Sequence, residues 1–93
     1  MTSKFFILKT QSESSEFLGW CDTKLEAIEK REIIAKKWID KERELPENKD
    51  FKFYICREGD LIDIYKQSKG SVFNGFMTKV SSFSIFDCEK IIL

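Results

Sequence analysis

Residues 22–45 read DTKLEAIEKREIIAKKWIDKEREL, and this stretch decides the fold of the 93-residue chain. At about 100° per residue, its apolar side chains fall within roughly half of a helix circumference, which predicts an amphipathic helix. These side chains are Leu25, Ala27, Ile28, Ile34, Ala35, Trp38, Ile39 and Leu45. Thr23 followed by Glu26 is typical of a capping box, and Pro46, which has no N–H to donate, stops the helix. The sequence therefore predicts one long helix over residues 23–45.

Strand-like patterns flank this helix. Residues 4–10 and 17–21 predict a first pair of strands, and residues 50–57 and 61–66 predict a hairpin that turns at Gly59. In the first strand, Phe5-Phe6-Ile7-Leu8 is apolar on both faces, which indicates a strand covered on both sides or one whose second face meets a partner.

The last quarter of the chain is less regular. Asn74-Gly75 is typical of a tight turn, so residues 71–73 and 76–80 form either a hairpin or an irregular loop. Residues 82–86 predict another strand, after which Asp87 either caps a helical turn or continues the strand. The fold prediction is a single α+β domain over residues 1–93, with the helix on a mostly antiparallel sheet of four or five strands.

Composition excludes several classes of function. The 16 basic residues balance the 16 acidic residues, so the chain lacks the net positive charge of a general polyanion binder. There is no histidine, and the three cysteines are too widely spaced to suggest a metal site, so free thiols and no metal are expected. No targeting segment or membrane-length apolar run is visible. A cytoplasmic protein is the simplest prediction.

Catalysis has little support in the sequence. Asp60 and Asp63 are the nearest pair of carboxylates, but a turn residue and an outward strand residue explain them equally well. The chain has no nucleophile elbow, and its four glycines stand apart, so it has no phosphate-binding glycine motif. We therefore expect no enzymatic activity and no cofactor.

The abundant aromatic and aliphatic residues favour a protein-interaction module, which modulates or inhibits a larger partner or forms a homodimer. Exposed apolar residues with a charged rim are typical of such interfaces. Trp20, Ile33 and Tyr54 are the predicted partner-binding residues, with Ile33 on the charged side of the helix. The excess of Lys, Ile and Phe is typical of a low-GC genome, such as those of many bacteria and phages. No motif identifies a family.

The alternative is a single-stranded nucleic-acid-binding protein that uses residues 65–80. Lysines interleaved with aromatic residues can hold phosphates and stack under bases. The predicted residues are Lys66, Lys69, Phe73, Phe76 and Lys79.

Arg31 lies inside the apolar arc of the predicted helix. Two structural roles are open for it: a side chain that reaches solvent at the edge of the core, or an ion pair with a carboxylate such as Asp63.

Overall fold

The computed structural model describes residues 4–69 and 77–88, and these form one α+β unit. Its elements, in chain order, are β1 (Phe5–Gln11), β2 (Ser14–Cys21), α1 (Lys24–Arg43), a 3-10 turn (Pro46–Asn48), β3 (Phe51–Glu58), β4 (Leu61–Ser68) and β5 (Thr78–Asp87). One helix on a five-stranded antiparallel sheet confirms the predicted fold class.

Helix α1 begins close to the predicted position. The Glu26 N–H donates to the Thr23 hydroxyl at 3.1 Å, so Thr23 is the N-cap. The Glu26 carboxylate accepts from the N–H of Asp22 at 3.3 Å, one residue before the donor that a capping box uses. The helix ends at Arg43, and Leu45 is already extended before Pro46.

Strand β5 holds the sheet together. The strand order is β2-β1-β5-β4-β3, so β5 pairs with β1 on one side and with β4 on the other. Residues 78–87 are one continuous strand, so the separate strands predicted at 76–80 and 82–86 are joined. The predicted Asn74-Gly75 turn and the helical turn after Asp87 lie outside the described residues, apart from Cys88.

The helix covers one face of the sheet and forms the hydrophobic core there. Its buried residues lie one turn apart along a single stripe: Ala27, Arg31, Ala35 and Ile39. Around them are two clusters, one with Ile62, Ile64 and Phe83 and the other with Ile7, Cys21 and Ile85. Leu25 and Leu45 are exposed, contrary to the predicted stripe. Leu25 lies at the edge of the apolar arc, and Leu45 follows the end of the helix.

The ion pair suggested between Arg31 and Asp63 does not form. Asp63 lies on the sheet face away from the helix, where its carboxylate accepts a hydrogen bond of 2.6 Å from Ser82. Arg31 is 4% exposed on the helix side, and its guanidinium approaches Glu32 at 3.8 Å. The three cysteines are free, and Cys21 alone is buried.

Candidate interaction surface

Where β1 pairs with β2 and β5, the sheet face opposite the helix carries no charged side chain. Directly paired residues lie on the same face of an antiparallel sheet, so the strand register defines this surface. It consists of Phe6, Leu8 and Thr10 on β1, Trp20, Phe17 and Ser15 on β2, and Phe86, Ser84 and Ser82 on β5. None of these nine residues carries a charge. A nine-residue surface without Lys, Arg, Asp or Glu is unusual in a chain that is 34% charged.

Four aromatic rings meet at one end of this face, and we call Phe6, Phe17, Trp20 and Phe86 the aromatic patch. The Phe6 ring stacks on Phe86 with centroids 5.2 Å apart and meets Trp20 edge to face at 5.4 Å. Phe17 lies 5.3 Å from Trp20 and 6.1 Å from Phe6. Phe17 is 50% exposed and Trp20 is 53% exposed. The rings therefore support one another while two of them face solvent.

A β-bulge in β2 assembles the aromatic patch. Phe17 and Trp20 are three residues apart, so a regular strand would place them on opposite faces. Between the pairs Ile7–Gly19 and Leu8–Phe17 the register shifts, which leaves Leu18 without an opposite residue. Leu18 packs into the core on the helix side, and both rings emerge on the other face.

Polar, neutral side chains border the aromatic patch along the strands. Thr10, Ser15, Ser82 and Ser84 occupy the remaining positions of the face beside Leu8. Charged side chains follow beyond these positions: Lys79 on β5, which pairs with Tyr65, and Asp63 on β4, which accepts a hydrogen bond from Ser82. This arrangement has an aromatic centre and a hydroxyl-rich border, and depletion of charge is characteristic of the core of a protein interface.

The three predicted partner-binding residues do not form one surface. Trp20 belongs to the aromatic patch. Tyr54 is 38% exposed on the same sheet face, but it lies on β3, four strands from β2, which is a lateral separation of about 19 Å. Ile33 is 55% exposed on α1, on the side of the helix turned away from the sheet. Ile33 and Trp20 therefore lie on opposite sides of the molecule, and the role of each in partner binding stays a prediction.

Sequence reasoning did not single out Phe6, Phe17 and Phe86. The signal for Phe6 was present, because the first strand is apolar on both faces and only one of them is covered by the helix. Phe17 could not be placed beside Trp20 without knowledge of the bulge. Phe86 joins them only through the long-range pairing of β1 with β5.

The described lysines of the nucleic-acid alternative lie towards one end of β4 and β5, where Lys66 and Lys79 line the same surface pocket. Lys66 lies 4.6 Å above the Phe51 ring and donates to the Asn48 side chain at 3.5 Å. Lys69 donates to the Lys49 carbonyl at 3.3 Å, and Lys79 is exposed on β5. Phe73 and Phe76 lie outside the described residues. This alternative stays a prediction.

Other kinds of site are not evident in residues 4–69 and 77–88. No group of three or more Cys, Asp or Glu side chains there is arranged to hold a metal ion. No helix within these ranges is long and apolar enough to cross a membrane.

Comparisons of the chain with models of known families, with curated proteins and with solved structures found no match.

Proposed function

We propose that this protein is a non-enzymatic interaction module that binds another protein through the aromatic patch, and so modulates or inhibits that partner in the cytoplasm. The exposure of Phe17 and Trp20 on an uncharged sheet face is the observation that carries the proposal. Burying such rings against an apolar partner surface is favourable by about 25 cal/mol per Å² of apolar area. Aromatic residues also dominate the energetics of most protein interfaces.

The absence of charge on this face favours a protein partner over a nucleic acid. Binding to a nucleic acid requires cations beside the aromatic rings, because phosphate contacts supply much of the affinity. The nine residues of the face include no lysine or arginine. A protein surface needs no such cations, and the hydroxyls of Ser84 and Thr10 can hydrogen-bond at the border.

The partner is either a different protein or a second copy of this chain. Strand β2 is at the edge of the sheet, so its outward backbone groups can pair with a strand of the partner while the aromatic patch is covered. A homodimer and a heterocomplex would therefore use the same surface. Measurements of mass distinguish them.

The test compares a double variant of the patch with a matched control. Phe17→Ala together with Trp20→Ala removes the two exposed rings, and Leu25→Ala removes an exposed apolar side chain that lies on the helix, 65% exposed. Each tagged protein is incubated with lysate of the source cell or its host, before and after nuclease treatment, and light scattering gives the mass of the purified protein. Circular dichroism verifies that each variant is folded.

We expect the wild type and Leu25→Ala to retain the same stoichiometric protein, or the same dimer mass, and the double variant to lose it. If the double variant stays folded and keeps every partner and the same mass, the proposal is wrong. Loss of all partners of the wild type upon nuclease treatment would instead support the nucleic-acid alternative.

A further inference from the structure

A second candidate site lies at the opposite edge of the sheet, where β3 is the outermost strand among the described residues. An open pocket of about 420 Å³ is located between the end of α1, the 3-10 turn and the start of β3. Its lining residues are Arg43, Asn48, Lys49, Phe51, Lys52, Phe53, Tyr54 and Lys69. We call this the basic pocket. Its volume is within the range of small-molecule sites.

Four cations line the basic pocket, and no carboxylate does. Two of them, Arg43 and Lys52, come from different elements, α1 and β3. Among the described residues, only one of these four cations forms an ion pair. Arg43 lies 3.9 Å from Asp40, which is a long contact, and both side chains are exposed. Such exposed ion pairs have little interaction free energy. The lining of the pocket is therefore net positive, although the whole chain is neutral.

The position of Lys69 is fixed by the backbone. Its N–H donates to the Asp50 carbonyl at 2.8 Å, which continues the pairing of β3 with β4 beyond the strand ends. Its ammonium group donates to the Lys49 carbonyl at 3.3 Å, which uses one of its three donors. The remaining donors are available to a ligand beside Lys49.

Aromatic rings lie among these cations. Tyr54 is exposed on the sheet face away from the helix, while Phe51 and Phe53 are half-buried on the helix side. The pocket thus extends around the edge of β3 and combines cations with a ring on which a flat group can stack. This combination recognises a phosphate joined to a planar base.

We infer that the basic pocket binds the phosphate and base of a nucleotide, either as a free nucleotide or as part of a single-stranded nucleic acid. Arg43, Lys49, Lys52 and Lys69 contact the phosphates, and Tyr54 stacks on the base. This site is independent of the aromatic patch and involves only Lys69 of the residues predicted for nucleic-acid binding. It adds a second type of ligand to the proposed protein-binding module.

The test measures the affinity for a fluorescein-labelled oligothymidylate of about ten nucleotides by fluorescence anisotropy, with ATP and inorganic phosphate as competitors. The first variant combines Arg43→Gln with Lys52→Gln. The matched control combines Lys36→Gln with Lys37→Gln, because these two lysines are exposed on α1 outside the pocket and the change in net charge is the same. Tyr54→Ala is compared with Tyr54→Phe to isolate stacking.

We expect the pocket variant to weaken oligonucleotide binding roughly tenfold and to reduce the slope of log K against log salt by about 1.4, since two phosphate contacts are lost. The control should stay within about twofold of the wild type. Tyr54→Ala should lower the affinity for the oligonucleotide roughly tenfold. Tyr54→Phe should leave the affinity unchanged, because the phenyl ring still stacks. Phe17→Ala with Trp20→Ala should bind the oligonucleotide normally.

The two sources of the ligand give different results. Competition by ATP at a concentration at which inorganic phosphate has no effect would indicate a free nucleotide, and binding of the oligonucleotide without such competition would indicate a single strand. The inference is overturned if neither ATP nor the oligonucleotide binds. It is also overturned if the pocket variant and its control weaken binding equally.

Discussion

At the scale of single residues, Arg31 is the main departure from an apolar core. The side chain is buried beneath the helix, and its Nε and Nη1 atoms have no hydrogen-bond partner within the described part of the chain. The third nitrogen, Nη2, is 3.8 Å from Glu32, which is longer than a hydrogen bond. A buried charge with so few partners is destabilising relative to an apolar side chain of similar size.

We therefore expect Arg31→Met to raise the free energy of unfolding by about 1 kcal/mol. Glu32 keeps its bidentate partner Arg57 in this variant, so no carboxylate is left unpaired. Urea denaturation of the wild type and the variant measures the change. A loss of stability of more than about 1 kcal/mol would show that Arg31 has partners that this account lacks.

Glu32 and Arg57 form the best-defined ion pair of the molecule. Both carboxylate oxygens accept from the guanidinium, at 2.7 and 2.8 Å. The hydrogen bond from Arg57 holds the pKa of Glu32 below its ordinary value of 4.5. A carboxyl with a lower pKa in the folded state stabilises the fold at neutral pH, and this contribution is lost as the pH falls from about the ordinary pKa through the folded-state pKa.

Glu32→Gln should therefore lower the free energy of unfolding at pH 7, by less than about 1 kcal/mol because Arg57 is half exposed. The difference in stability between variant and wild type should shrink as the pH falls from about the ordinary pKa of a glutamate through the lowered pKa of Glu32. Thermal unfolding of both proteins across this pH range shows whether the difference in stability shrinks as the pH falls. A difference that is constant with pH would contradict the assigned ion pair.

At the scale of elements, the bulge in β2 depends on Gly19. This residue has φ +133°, a conformation that strongly favours glycine. A Cβ built there would also lie 2.5 Å from the Lys30 ammonium nitrogen, although that flexible side chain can move. The backbone conformation is therefore the larger constraint.

Gly19→Ala should cost about 1–3 kcal/mol of stability through backbone strain. Gly59→Ala is the matched comparison, because Gly59 has φ +58° in the hairpin turn and open space around it. We expect a smaller cost there, about 1 kcal/mol. Equal costs in urea denaturation would mean that the bulge does not constrain Gly19 more than an ordinary turn constrains Gly59.

Helix α1 and the β3–β4 hairpin could be predicted because their signals are local. Thr23 and Glu26 cap the helix, and the alternation of Phe51, Phe53 and Ile55 fixes the faces of β3. The bulge could not be predicted, because the alternation in β2 breaks at Leu18 and no local pattern specifies which residues pair with this part of the strand. The predicted site was incomplete for the same reason.

At the scale of the whole molecule, the uncovered sheet face follows from topology. One helix packs on a five-stranded sheet, so it can cover only one of the two faces. The pairing of β1 with β5 brings Phe6 against Phe86 across most of the chain length, which no local pattern specifies. The number of strands was predictable, whereas their order and the resulting aromatic patch were not.

The two faces should respond differently to truncation. Phe83 is fully buried under the helix, and Phe83→Ala should cost about 3–5 kcal/mol. Phe17→Ala with Trp20→Ala should cost only about 1–2 kcal/mol, mainly from lost ring contacts. Urea denaturation of both variants measures these two losses of stability. A loss for the double variant as large as for Phe83→Ala would show that the aromatic patch serves the fold rather than a partner.

The solvent accessibility of Trp20 shows whether the aromatic patch is the binding surface. Trp38→Phe leaves Trp20 as the only tryptophan, so acrylamide quenching reports on the aromatic patch alone. The measurement is made on dilute protein, over a series of protein concentrations and with the captured partner. We predict strong quenching in dilute protein, and protection with a blue-shifted emission once the partner or a second copy binds. Equal quenching of Trp20 in the free protein and in the complex would contradict the claim that this face is the binding surface.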